Sequence, residues 1–323
     1  MTDCANCPKS KAQAKHRWVA PKRDVPLSGI LNVDKPPGMT SHDVVDEVRR
    51  MVGQRKVGHA GTLDPMATGV LLVCLGKATR VAEFLMQGRK RYRATVVLGT
   101  TTDTYDAEGE VVSGGGKIDF SQAEIEAALA RFVGQIEQVP PMYSAVKQGG
   151  QPLYKLARQG KTVERSPRSV EIEAIDLLDW TPPALSIEVA CSPGTYIRSL
   201  AHDLGEALGS GAHLAALVRL SSGRFALEDA TSLDRLAEAF EHGQGDRHVL
   251  ALDEAFFDSP AAVVGGDTAQ RIVHGQAVAL ETPAGPGEGG AEEVRVYGPD
   301  GDFVAIVTYD AGSGMWRPKK VFA

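Results

Sequence analysis

The stretch Val57-Gly58-His59-Ala60-Gly61-Thr62-Leu63-Asp64-Pro65-Met66-Ala67-Thr68-Gly69-Val70-Leu71 decides how the rest of the 323-residue chain is read. It starts as a glycine-rich loop, passes a single carboxylate, and runs into the apolar segment 70–75. Gly58, Gly61 and Gly69 permit backbone angles that a Cβ disfavours and let a neighbouring segment approach closely. Asp64 precedes a proline, which pushes its own backbone out of the helical region. Pro65 suits the first position of a helical turn, with Asp64 as its cap. Residues 70–75 are apolar on both faces, as in a buried central strand. The stretch therefore predicts an acid on a fixed turn beside the core, in a loop with room for a large ligand.

Outward from that loop the pattern is mixed. Residues 29–33 read as a strand and 40–51 as a helix, with Thr40 and Asp43 as a capping box and Gly53 as the stop. A second helix is predicted over 78–86 and a strand over 92–98. Residues 100–116, with Asp103, Asp106 and Glu108, lack the closing Glu of a calcium loop and read as a polar hairpin or loop. Residues 121–133 form a capped helix, and 170–180 and 185–191 form strands. Helices are expected at 195–208 and, shorter, at 212–220, then an acidic helical bridge from 233 to 257. Short strands at 270–276, 294–297, 303–307 and 316–322 between Gly/Pro turns predict a small β-barrel-like module. The fold class is thus α/β in the mixed α+β sense, with a small β-rich module at the end.

The net charge is −6, which does not advertise a nucleic-acid binder, but distribution outweighs the sum. Residues 89–93 are intensely basic around Tyr92, and 140–168 carries Lys147, Lys155, Arg158, Lys161, Arg165 and Arg168 against one acid, Glu164. Such a face fits selective binding of one polyanion; from charge alone, solvated loops fit equally well. No apolar run approaches the roughly 20 residues a membrane helix needs. Residues 1–26 lack an apolar h-region and are expected to be a disordered tail. Cys4 and Cys7, with His16, make only half a zinc pattern, so no metal site is assigned there. Cys74 and Cys191 in strand-like runs point to a reduced, cytoplasmic compartment. No nucleotide-binding glycine motif occurs.

The run His59-Ala-Gly-Thr-Leu-Asp64-Pro-Met-Ala-Thr-Gly69 resembles the motif of the TruB family, the tRNA pseudouridine-55 synthases and their guide-RNA-dependent relatives. Asp34-Lys-Pro-Pro-Gly38, Arg91-Tyr92-Arg-Ala94, Pro141-Met-Tyr143-Ser-Ala145 and Gly194-Thr-Tyr196-Ile-Arg198-Ser-Leu200 match the same family in order, so the resemblance covers about residues 27–323. It implies a pseudouridine synthase fold, a mostly antiparallel central sheet flanked by helices over 27–255 and a PUA-like module over 256–323. It implies tRNA, held by its T-arm, as partner, uridine 55 as target, and no cofactor, because the reaction is an isomerisation. No obligatory protein partner is expected, and the chain is expected to be a monomer. The alternatives are a catalytic subunit of a guide-RNA particle and a tRNA-folding helper whose chemistry is dispensable.

The resemblance also distributes roles. Asp64 acts at the ribose, as nucleophile, base or electrostatic partner; from the Asp-Pro dipeptide alone a capping role fits better. Arg198 pairs with Asp64 and is expected to lower its pKa, although on its own an arginine near a helix start reads as a surface ion pair. Tyr92 offers a face to the target base and a hydroxyl for the C5 proton. Leu200 forms an apolar floor, His59 packs near the flipped nucleotides, and Tyr196 lines the site beside Arg198. Lys35 and Gly38 support the Asp64 turn. Lys147, Lys155 and Arg158 belong to an insertion that closes over the RNA and holds phosphates.

Overall fold

The computed structural model describes residues 20, 25–144, 146–148, 150–157, 159–160, 163–281 and 293–322. Its central strand is Thr68–Leu75, and the alternation of that strand explains its all-apolar sequence. Leu71, Val73 and Leu75 point into one core, shared with Val44, Val45 and Val48 of the helix Ser41–Val52 and with Leu200 and Leu204 of the helix Ile197–Ala207. Val70, Leu72 and Cys74 point into a second core, closed by Leu85 of the helix Ala82–Gln87, by Phe256 and by Ile306 and Phe322 near the C-terminus. Each such apolar side chain stabilises the fold by about 1.5–3 kcal/mol relative to exposure.

The main sheet runs in the order Thr231–Ser232, Gly29–Lys35, Thr68–Leu75, Ala212–Ser222, Lys90–Leu98, Ala184–Cys191, Arg168–Thr181, Gly134–Gln138. The first pair and the Thr68–Leu75/Ala212–Ser222 pair are parallel, and the other neighbours in that order are antiparallel. The expected mixed, mostly antiparallel sheet is therefore present. Both predicted capping boxes form, Thr40 with Asp43 and Ser121 with Glu124, and Gly53 ends its helix in the left-handed conformation. A second sheet of Ala261–Val263, Glu293–Tyr297, Phe303–Asp310 and Met315–Val321 builds its own core around Trp316.

Several expectations are corrected. Residues 212–220 are not a helix but most of the strand Ala212–Ser222. A register shift between Leu214 and Ala216 breaks its two-residue period, so the buried Leu214 and Leu217 fall three apart, as on a helix. Residues 270–276 are not a strand; the helix Gly266–Val273 occupies most of them, with Ile272 buried beneath it. Pro65 does not open a helical turn. The Ala67 N–H donates to the Asp64 carbonyl at 3.1 Å, closing a β-turn with proline in its second position, and Asp64 caps nothing. The predicted helix at 78–86 splits into a 3-10 turn, Gly76–Arg80, and Ala82–Gln87.

The basic run 89–93 is not a free cationic face. Arg89 pairs with Glu171 and Glu173, and Arg91 and Arg93 pair with Glu188 on the neighbouring strand. Lys90 is buried and donates to the Met86 and Gly88 carbonyls, and burial lowers it to about 8. Within the insertion, Lys147–Gln148 and Gln151–Pro152 form a hairpin, and Leu153 is 1% exposed. Cys4, Cys7, His16, Arg158 and Lys161 lie outside the described residues.

Gly69 shows why glycine is needed at the sheet's tightest crossing. Its φ is +95°, and a Cβ there would sit 2.3 Å from the Arg219 carbonyl oxygen. Gly69→Ala is expected to destabilise the protein by about 2 kcal/mol or more, because left-handed strain of ~1–3 kcal/mol adds to a backbone clash. A urea-unfolding midpoint equal to wild type would contradict this packing.

Candidate active site

The Asp64 turn is built from its surroundings upward. Leu63 is buried, and its N–H and carbonyl both bond the Ser41 hydroxyl, at 2.9 and 3.2 Å, fixing the turn to the first helix. The Gly38 N–H donates to the Pro65 carbonyl at 2.8 Å. Lys35 is 0% exposed and spends its three donors on carbonyls of Pro36 (2.9 Å), Pro65 (3.1 Å) and Ala67 (2.7 Å). Burial lowers the Lys35 ammonium to about 8, with Asp64 opposing that shift. With two carbonyls of its own turn bonded to Lys35, the Asp64 side chain is left free for another partner.

That partner is Arg198, in the first turn of Ile197–Ala207 and 4% exposed. Its Nη2 donates to Asp64 Oδ1 at 3.0 Å; its Nε lies 2.9 Å from Oδ2, out of line for a hydrogen bond, so that contact is ionic. The opposite edge of the guanidinium faces a second carboxylate. Arg198 Nη1 lies 3.3 Å from Asp106 Oδ2 and 3.3 Å from the Thr104 carbonyl, and Nη2 also donates to the Tyr143 carbonyl at 2.7 Å. Asp106 is 3% exposed, and its Oδ1 accepts from the Thr104 hydroxyl (2.5 Å) and the Glu108 N–H (3.1 Å). Tyr105 between them holds φ at 63°, stacked on His202 at 3.9 Å.

The sequence reading treated Asp106 as one acid of a polar loop. Its burial, imposed by an isolated bridge to Leu214, has no signal in local sequence. Arg198 lowers the Asp64 pKa as expected, but the net shift is upward. Burial dominates and raises the carboxyl; Arg198 pulls it down, Asp106 pushes it up, and Lys35 pulls it down. The side chain remains 33% exposed, so the acid is reachable from outside while its lower side is desolvated.

The other predicted residues fall at different depths. Tyr92 is half-buried on Lys90–Leu98, opposite Val189 and Arg219, and packs against the first core. Burial raises its phenol. Tyr196 caps the Arg198 helix; its N–H donates to the side chain of buried Gln138 at 2.7 Å and its carbonyl accepts from it at 3.0 Å. His59 lies on Val57–Ala60, its ring edge-on to His42 at 5.2 Å; burial, with His42 and Arg219, lowers it to about 4, so it is neutral at pH 7. Leu200 is 1% exposed within the main core. Lys155 is exposed on the short helix Leu153–Ala157, and Lys147 is in the hairpin. The structure thus brings Asp64, Arg198 and Lys35 together. It adds Asp106 and Arg219, and puts Leu200 in the core. Among the described residues no cluster of potential metal ligands occurs, and no helix is long and apolar enough to cross a membrane.

Comparison with known proteins gives matches along most of the chain. The N-terminal domain model of the TruB family pseudouridylate synthases matches residues 49–197, and the tRNA pseudouridylate synthase B C-terminal domain model matches residues 198–257. The chain is 50% identical over 257 residues to tRNA pseudouridine synthase B of Symbiobacterium thermophilum, covering 79% of this chain and 84% of that one. It is 45% identical over 295 residues to the Dechloromonas aromatica protein of the same name, covering 91% and 95%. Among solved structures, a chain of a Cbf5-Nop10-Gar1 complex superposes with a TM-score of 0.71 at 28% identity, covering 94% of this chain and 92% of that one. A chain of an H/ACA RNP bound to a substrate RNA containing 2'-deoxyuridine gives 0.70 at 26%, covering 97% and 92%.

The charge arrangement sets a sign. Asp106→Asn removes a like charge, so the Asp64 pKa is expected to fall; Arg198→Gln removes the nearest cation, so it is expected to rise further above the ordinary carboxylate range. Carbon-13 NMR of labelled aspartate carboxyls across a pH series reads both. Shifts in the reverse order would contradict the arrangement.

Proposed function

The chain belongs to the TruB family of pseudouridylate synthases and is an isomerase of tRNA, and we propose that it converts uridine 55 of the T loop to pseudouridine with Asp64 as the catalytic acid residue. One observation carries this reading: a carboxylate one-third exposed above a guanidinium that is itself 4% exposed and bonded on its far edge. A charged side chain is thereby offered to a ligand from a fixed, half-dry position, which suits charge developing on a sugar. The N1–C1' bond breaks, the uracil turns, and C5 bonds to C1'. The C5 proton then leaves, its electron pair becomes the C5=C6 double bond, and N1 takes up a proton. Atoms and charge balance without an added group.

Reaching the sugar requires the nucleotide to leave its stack, at a cost of a few kcal/mol. Tyr92, half-buried on its strand, offers the everted base a face, and its hydroxyl relays the C5 proton, taking it up as it releases its own to solvent. Neutral His59 packs against the displaced nucleotides. Lys147, Lys155 and Arg158 hold phosphates of the T-arm, and Tyr196 lines the site. The curated relatives, at 45–50% identity, favour bare tRNA over the guide-RNA assemblies of the structural neighbours, at 26–28%. The chain acts in the cytoplasm as a monomer without a protein partner.

The test is an unmodified tRNA transcript incubated with the protein and mapped by carbodiimide-stop sequencing, since substrate and product have equal mass. A stop at position 55 is expected with the wild type and none with Asp64→Asn, whose tRNA affinity stays within a few-fold. Wild-type-like product from that variant would refute the role of Asp64. Because burial raises Asp64, kcat/KM is expected to fall on acidification at a pH above that of an ordinary carboxylate. Deleting residues 148–165 is expected to weaken tRNA binding and flatten its salt dependence; an unchanged salt series would remove the insertion from the interface.

A further inference from the structure

We propose that Arg219, which no motif reading singled out, is the positioning residue for Tyr92, holding its hydroxyl beside the Asp64 turn and supplying the positive charge that prepares it to accept the C5 proton. This deepens the reading above and rests on it.

Arg219 is one of the largest side chains fully inside the protein, at 1% exposure. Its Nε donates to the Val70 carbonyl at 2.6 Å and its Nη2 to the Gly61 carbonyl at 3.1 Å. Those two carbonyls lie on either side of Asp64 in sequence, so one planar group pins both arms of the catalytic loop. Gly61 holds φ at +89°, a conformation that favours glycine, in the turn whose carbonyl meets the guanidinium. Gly69 presses on the Arg219 backbone from the other side, which fixes the residue at its root. Among the described residues no carboxylate pairs with this guanidinium, so its charge is uncompensated by a direct partner. A buried charge without a counter-ion is costly and is retained where its field is used.

The register puts Tyr92 directly across from Arg219 on the adjacent strand, so the two side chains leave the sheet on the same face. Burial pushes the phenol up; Arg219 is the largest influence pulling it down, with Cys191 on the next strand and Asp64 on the turn pushing the other way. Cys191 is itself raised to about 11 by burial and stays neutral in the working range. In the last step the C5–H bond breaks and its proton passes to the Tyr92 oxygen as that hydroxyl releases its own proton to solvent; the bond pair becomes C5=C6, N1 takes up a proton, and the phenol is regenerated. A cation beside that oxygen favours the form that accepts, and two carbonyl bonds keep the cation in place.

The experiment compares wild type, Arg219→Gln and Arg219→Lys. Tyrosine labelled at the ring carbon bearing the hydroxyl is followed by NMR through a pH series, the Tyr92 signal being the one absent in Tyr92→Phe. The expected result is a Tyr92 ionisation moved to higher pH in Arg219→Gln and less so in Arg219→Lys. Alongside it, the single-turnover rate on unmodified tRNA transcript is expected to fall about 10²-fold in Arg219→Gln with tRNA affinity within a few-fold, the size seen when one preorganised donor is removed. Lys35 and Lys90, which titrate near 8, also feel Arg219, so the assigned Tyr92 signal and not the rate profile alone makes the attribution. An unmoved Tyr92 ionisation in the variants would overturn the proposal, as would an undiminished rate. If Arg219→Gln fails to fold, Arg219→Lys decides, since one ammonium cannot reach two carbonyls and a phenol in the same geometry. Failure of the wild type to form product would sink the functional reading instead and leaves the NMR arm standing.

Discussion

A guanidinium removed from water must find acceptors for its donors, and Arg198 finds them on three segments at once. Asp64 comes from the turn, Asp106 and the Thr104 carbonyl from the loop after Lys90–Leu98, and the Tyr143 carbonyl from the root of the insertion. None of these segments is adjacent in sequence, and each is drawn to the same point because an unpaired buried charge costs several kcal/mol. The pair between Arg198 and Asp64 is therefore less a stabilising contact than a fixed coordinate for the site. Its two carboxylates have different jobs because their surroundings differ: Asp106 is sealed at 3% exposure, while Asp64 keeps an open side.

Beneath the acid the backbone itself is the scaffold. Lys35 collects three carbonyls and Arg219 two, and all but that of Pro36 come from the same loop that presents Asp64. Buried cations thus do the work that a regular helix or sheet ladder does elsewhere, satisfying loop carbonyls that no N–H can reach. The same cations set a positive field under the site. Arg219 adds to the burial and to the His42 charge that keep His59 neutral and opposes the rise of Tyr92, while Lys35 opposes the rise of Asp64.

An acidic protein that binds a polyanion has to place its cations selectively. The arginines of 89–93 are paired with Glu171, Glu173 and Glu188, so a run that looks like a binding patch is a strand's outer face held by cross-strand ion pairs. In the insertion, Lys155 is exposed on the short helix Leu153–Ala157.

What the sequence determined alone was what short-range chemistry fixes. The buried run 70–75, the capping boxes at Thr40 and Ser121, the stop at Gly53 and the acid on a proline turn all follow from side chains within a few residues of one another. The long motif around Asp64 likewise carried the family. Tertiary structure decided what depends on neighbours distant in the chain. A bulge after Leu214 turned an apparent helix into the strand that carries Arg219. Burial by Leu214 made Asp106 a partner of Arg198. Burial also overrode the nearby arginine in setting the Asp64 pKa, because desolvation depends on everything packed around a group, whereas an ion pair depends on one neighbour.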